Sequence, residues 1–167
     1  MRGFVIGLSN AIHAVARRVA VLAIVVMFAT VMLQIIARYV FDAPPVWTED
    51  IARYMMVWTG LLGATLSFKD RSDAVLLNNV FPRRPRLFAF LAEAIRSAAV
   101  ITFAGPVLWY SFIGLRGGFA KGYLARQATL TADTLGIPMV WIAVAVPLSM
   151  AIILVHLAAR WAEPETT

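Results

Sequence analysis

Few residues in this sequence have a type and spacing that could do chemistry. The densest group is Trp47-Thr48-Glu49-Asp50-Ile51-Ala52-Arg53-Tyr54, directly after Pro44-Pro45. Arg53 follows Glu49 by four residues and Asp50 by three, so on a helix the three side chains share one face. Two readings stand side by side. In the first the group is an ordinary helix start: Thr48 caps, Glu49 and Asp50 oppose the positive end of the helix dipole, and Trp47 sits in an aromatic belt at a membrane boundary. In the second, charges at that boundary need a protein partner, which would be a neighbouring helix, Arg38 or a separate subunit.

Two other groupings are sparser. Glu93 and Arg96 lie three apart in an apolar stretch, which fits mutual neutralisation; a proton or coupling-ion site at Glu93 is the competing reading. His13 and His156 are the two imidazoles, and a haem between them would need their segments to approach each other closely. With no cysteine, disulfides, thiolate catalysis, zinc–thiolate sites and iron–sulfur ligation are all excluded. There is no Gly-rich phosphate loop, no serine elbow and no clustered set of His and carboxylates, so the sequence calls for no enzymatic reaction, no cofactor and no metal.

The elements that must position these groups follow from the solvent the chain is made for. Of its 167 residues 61% are hydrophobic and 14% charged, against about 45–50% and about 25% in a soluble domain. Lipid is the main solvent implied, and one all-α membrane domain over 1–167 is expected. The net charge of +6 sits at the ends of apolar stretches, where it orients a membrane protein; nucleic acid is not an expected partner, and the phospholipid bilayer is.

A helical span needs about 20 mostly apolar residues. Four segments qualify: about Val19 to Phe41, Ile51 to Phe68, Leu87 to Leu115 and Pro138 to Ala159. The third is longer than necessary, which points to tilt or to an interfacial first turn. Pro138 suits a first helical position, and Pro147 predicts a kink. The first stretch ends in Arg38-Tyr39 without a small-residue cleavage site and is expected to be retained. In the second, Gly60 and Ala64 stand four apart with Gly63 beside them, allowing close helix approach.

Two short segments complete the expected layout. Over about 4–16, Phe4, Leu8, Ile12 and Val15 recur at helical spacing, as for a helix lying on the membrane surface or a frayed terminus. Ala74 to Phe81 is too short to cross, and Arg83, Arg84 and Arg86 follow it as a basic membrane-surface anchor. One side of the membrane receives nine Lys and Arg (Arg2, Arg17, Arg18, Lys69, Arg71, Arg83, Arg84, Arg86, Arg160) and the other four (Arg38, Arg116, Lys121, Arg126), which predicts cytoplasmic N and C termini.

These residues together resemble the small membrane subunit of the tripartite ATP-independent periplasmic (TRAP) transporters, the DctQ-like family. The likeness rests on Arg38-Tyr39-Val40-Phe41, then Trp47 to Tyr54 with Val57-Trp58, then Gly63-Ala64; a second stretch is Thr134-Leu135-Gly136-Ile137-Pro138 leading through Trp141 to Val146-Pro147-Leu148. Where the family often carries a His followed by an apolar and acidic pattern after its second span, this chain has Asp73-Ala74-Val75-Leu76-Leu77-Asn78. The resemblance implies a non-catalytic scaffold in the bacterial inner membrane. It would bind a large transport subunit that moves an organic acid or similar solute on an ion gradient, after delivery by a periplasmic solute-binding protein. Subunit contact is then expected at Arg38, Trp47, Glu49, Asp50, Arg53, Tyr54, Trp58, Gly60, Gly63, Pro138 and Pro147. The alternative is a self-sufficient proton-coupled four-helix transporter working through Glu93.

Overall fold

The computed structural model describes residues 2–70, 86–114, 117–118, 121–132 and 134–162, without the side chains of 86–89. Four long helices make the bundle: α1 (Arg2–Val40), α2 (Trp47–Asp70), α3 (Arg86–Phe112) and α6 (Ala145–Ala162); two short ones, α4 (Tyr123–Ala128) and α5 (Val140–Ala143), lie in the connection before α6. Among the described residues there is no strand, only a single bridge between Thr131 and Pro138. The expected segment 74–81 and Arg83 and Arg84 lie outside the described residues. Arg86 is the first residue of α3.

Two stretches expected as separate elements, 4–16 and the first span, form one helix of 39 residues. No Gly or Pro occurs from Leu8 to Val40, so nothing breaks the hydrogen-bond ladder between the two stretches. At 1.5 Å per residue α1 is about 58 Å long, nearly twice a bilayer's hydrocarbon core of about 30 Å. It ends where Asp42 takes a left-handed conformation (φ 52) and the Ala43 N–H returns to the Ala37 carbonyl at 3.1 Å, after which Pro44-Pro45 prevents continuation.

Among the described residues, three helices are long and apolar enough to cross a membrane: α1, Phe90–Phe112 of α3, and Val140–Ala162. Four such spans were expected. α2 is not among the three: even its least polar stretch, Ile51–Phe68, carries Arg53 and is interspersed with Tyr54, Thr59, Gly60, Gly63, Thr65 and Ser67.

The interior is made of small residues, and the large ones face out. Among the described residues, nine of the twelve buried apolar ones are alanine, whereas Leu22 and Phe28 are each 63% exposed. In water this would be an inside-out protein; in lipid, where large apolar side chains gain nothing by burial, it is how helices approach closely. The small residues are ordered. Ser9, Ala16, Ala23, Thr30 and Ala37 recur every seven residues along α1, and Ser97, Ala104 and Ser111 do so along α3. In α6, Ala145, Ser149, Ile152, His156 and Ala159 alternate spacings of four and three. A strict seven-residue repeat keeps one seam on the partner helix. The buried hydroxyls of Thr30, Thr65, Ser97, Ser111 and Ser149 donate to carbonyls three or four residues earlier in their own helices, at 2.6–2.8 Å, so none needs a partner across the seam.

α1 and α2 pack side by side as the most extensive pair; α6 lies against both and alone among the long helices carries α3. The core where α1, α2 and α6 meet is Ala16, Ala20, Leu62 and Ile152, flanked by Ile12, Trp58 and Leu66. α6 is separated from α5 by a turn at Val144. Pro147 causes this: its ring excludes the carbonyl of Ala143 and it has no N–H to offer, so the irregularity falls before it. Pro138 does not begin the helix; it pairs with Thr131 in the bridge, and Met139 is the residue that precedes α5.

Candidate functional site

The helices run so that two distinct ends form. One gathers the start of α1, the end of α2, the start of α3 and the end of α6 and is termed the terminal end; the other, the loop end, holds residues 38–54, 113–114, 117–118, 121–132 and 134–143.

At the loop end, Pro45 sets the entry into α2. The Thr48 N–H and hydroxyl both point to the Pro45 carbonyl, at 3.3 and 2.6 Å, and Thr48 is fully buried. Thr48 therefore does not cap α2 by accepting a bond from the helix, as the sequence suggested; it closes the turn that precedes it. Glu49 and Asp50 stand in the first turn, as the helix dipole favours. Arg53 donates to Glu49 and lies 3.9 Å from Asp50. The three differ in exposure: the Glu49 and Arg53 side chains are 59% and 65% exposed, that of Asp50 only 17%.

Asp50 is covered because the second family-like stretch lies against it. The Thr134 hydroxyl donates to the Asp50 carboxylate, 84 positions away in the chain. Thr134 is held by a narrow hairpin in which the Ala132 N–H donates to Ile137 (2.9 Å), the Met139 N–H to Leu130 (2.8 Å) and the Gly136 N–H to Ala132 (2.9 Å). Gly136 has φ 63, a conformation that a Cβ disfavours, so glycine is what the turn needs there. The two stretches that carried the resemblance thus meet at one place. Around it, Tyr39, Phe41, Trp47, Trp109 and Trp141 are exposed, in the manner of an aromatic belt.

The other residues expected at a subunit contact are scattered. Arg38 is exposed and makes no ion pair with the cluster among the described residues. Tyr54 is half-buried. Trp58 packs on the chain's own three-helix core and Pro147 is buried inside the bundle. Gly60 is exposed and Gly63 half-buried; a Cβ built on either meets nothing within 4 Å, so this small face is not used for packing within the chain.

The terminal end was not foreseen as a unit. Ser9 of α1 and His156 of α6 share a buried hydrogen bond of 2.8 Å. His13 faces Asp70 of α2 at 3.6 Å, and Lys69 donates to Asn10 at 2.7 Å. Arg160 of α6 donates to the Phe68 carbonyl at 2.9 Å, lies over the Phe68 ring at 4.6 Å and pairs with Glu93 of α3 at 3.5 Å. Trp161 donates to Ser97 at 2.9 Å and meets Phe90 edge to face. All four long helices are tied by side chains here. The sequence signal was the presence of Ser9, His13, Glu93 and His156 in otherwise apolar helices, each of which needs a partner.

Glu93 is thus held between Arg96 (3.7 Å) and Arg160, which makes it a structural counter-charge and gives a proton-carrying role no support. His13 and His156 do meet, ring centroids 6.2 Å apart and nearly edge to face. Their remaining nitrogens, His13 Nδ1 and His156 Nε2, are closed off even to water, so no slot of macrocycle width opens onto them. Among the described residues no three His, Cys, Asp or Glu side chains converge as a metal site would require.

Among the described residues, an all-helical fold with an alanine seam and outward-facing large apolar residues is that of a membrane protein. Residues 27–167 match the family described as tripartite ATP-independent periplasmic transporters, DctQ component, and the chain belongs to that family, a transporter family and not an enzyme family. It is similar to the isethionate TRAP transporter permease protein DctMQ of Oleidesulfovibrio alaskensis, 33% identical over 69 residues, covering 41% of this chain and 11% of the relative. It is similar also to the sialic acid TRAP transporter permease protein SiaT of Haemophilus influenzae, 29% identical over 66 residues (38% and 11%). A third similarity is to a protein of H. influenzae named as a TRAP transporter small permease, 33% identical over 70 residues (40% and 44%). The matched stretches span about a tenth of the first two relatives and under half of the third.

Proposed function

We propose that this chain is the small, non-catalytic subunit of a TRAP-type importer in the bacterial inner membrane. It would scaffold a large transport subunit that takes up an organic acid or similar solute, delivered by a periplasmic binding protein, on an ion gradient. The observation that carries this is the meeting of the two family-like stretches at the loop end, where Thr134 fixes Asp50 while Glu49 and Arg53 stay exposed. The names of the relatives agree: DctMQ couples an M to the Q component whose family includes this chain.

The same reading takes α2 as a fourth span. It is 24 residues long and packs antiparallel along α1, which has the length and apolarity to cross. With four crossings both termini share one side, and the surplus of Lys and Arg makes that side the cytoplasm. The Ala74–Phe81 segment with Arg83, Arg84 and Arg86 would then engage the cytoplasmic membrane surface. Subunit contact would concentrate at Trp47, Glu49, Arg53 and the open Gly60–Gly63 face.

Co-purification of the tagged chain in mild detergent with the products of adjacent genes tests the reading. Recovery of a large multi-span protein is expected, with loss of recovery in Glu49→Lys and Arg53→Glu. A wild-type chain that emerges alone and catalyses uptake by itself would sink the scaffold assignment.

A further inference from the structure

On α1, an open groove of about 620 Å³ runs along one helix face, headed by His13 and Ala14 and continued by Arg17, Arg18, Val21, Leu22 and Val25. These positions follow spacings of three and four, so they line a single stripe. It is a different stripe from the Ser9-Ala16-Ala23 seam that packs the bundle. Arg17 and Arg18 are exposed, and neither has a carboxylate within ion-pair distance among the described residues; Asp70 faces His13 instead. Directly beyond the two guanidinium groups, Val21, Leu22 and Val25 are 54%, 63% and 57% exposed.

We infer that this groove holds one anionic phospholipid, its phosphate on Arg17 and Arg18 and the upper part of an acyl chain along Val21, Leu22 and Val25. The order of groups matches that molecule: a pair of unneutralised cations, then bare apolar surface continuing for about 10 Å of helix from Arg18 to Val25. Guanidinium groups suit a phosphate because their planar donors can bind it in pairs. A polypeptide partner would have to bury both cations and supply acidic residues; a lipid supplies charge and tail in one molecule.

The test is native mass spectrometry of the full, delipidated chain in detergent, titrated with phosphatidylglycerol and with phosphatidylcholine. Preferential binding of one phosphatidylglycerol is expected, and Arg17→Gln/Arg18→Gln should lose about thirtyfold in affinity, the worth of two basic residues against an anionic lipid surface. Lys121→Gln/Arg126→Gln removes the same charge at the loop end and should bind as wild type does. Arg17→Lys/Arg18→Lys, which keeps the charge, should retain most of the preference and shows that the site survives substitution. Equal binding of the two lipids, equal loss in both glutamine variants, or displacement of the lipid when the large subunit is co-purified would each overturn the inference, the last by assigning the groove to protein.

Discussion

The two ends of the bundle are closed by different means. At the terminal end, side chains from separate helices bond to one another: Ser9 to His156, Arg160 to Glu93 and the Phe68 carbonyl, Trp161 to Ser97. At the loop end the backbone does most of the closing, through the left-handed turn at Asp42, the Pro45 turn and the hairpin around Gly136, and one side-chain bond, Thr134 to Asp50, joins distant segments. Helix ends leave unpaired polar groups that lipid cannot satisfy. At one end a side chain meets such a group, Arg160 on the Phe68 carbonyl, within a network of side-chain bonds that ties the helices together; at the other end turns meet them, which leaves charged side chains available to something outside the chain.

If that division holds, the largest stability effect lies at the terminal end. Arg160→Ala removes the link among α2, α3 and α6 and leaves Glu93, whose side chain is 28% exposed, with Arg96 as its remaining partner. Because the interhelical ion pair and the bond to the Phe68 carbonyl are lost together, a loss of about 2 kcal/mol is expected, read as thermal unfolding in detergent. α3 should detach first, since it packs on α6 and on no other long helix; proteolysis or cysteine labelling of introduced sites on α3 would show it. An unchanged unfolding midpoint would mean the network is ornamental and the alanine seam carries the bundle.

A backbone-closed loop end makes a separate demand. Gly136→Ala places a Cβ at φ 63 with nothing within 4 Å to clash, so the cost is conformational and about 1.5 kcal/mol. The loss should appear together with reduced recovery of the large subunit, because the hairpin presents Thr134 to Asp50. Ser9→Ala, at the opposite end, should cost about 1 kcal/mol by leaving the buried His156 Nδ1 without a partner, in line with hydrogen bonds between membrane helices. Its recovery of the large subunit should match wild type. Equal behaviour of these two variants in recovery would erase the distinction between the ends.

How much of this was legible beforehand depended on range. The long helices, the start of α2 after Pro44-Pro45 and the turn at Thr134-Leu135-Gly136-Ile137 are local and could be read from apolar runs and punctuation. The continuity of α1 is also local, written in the absence of Gly and Pro from Leu8 to Val40, but the apolar spacing over 4–16 and the long apolar run after it read as two elements. The seven-residue seam of Ser9, Ala16, Ala23, Thr30 and Ala37 was present in the sequence as well. It was hard to see because the eye follows large residues, and here the large residues mark the lipid side. The terminal-end network lay beyond reach: Ser9 and His156 stand 147 positions apart, and nothing in the spacing of either says which helix it faces. The same holds for Thr134 and Asp50.

The smallest expected effect on stability carries the most information about function. The Glu49 and Arg53 side chains are both more than half exposed and pair within one helix, the circumstance in which ion pairs contribute little. Glu49→Ala/Arg53→Ala should therefore shift unfolding by no more than about 0.5 kcal/mol. Asp50→Ala should cost more, since its carboxylate is largely covered and accepts from Thr134. If the double variant is as stable as wild type but no longer recovers the large subunit, the exposed pair acts on a partner, and Asp50 belongs to the scaffold that presents it. If the double variant recovers the large subunit normally while Asp50→Ala does not, the contact runs through the hairpin and the exposed pair is only a helix start. A cluster read from sequence as one unit would then divide, along the line of exposure, into a part that folds the loop end and a part that is used by it.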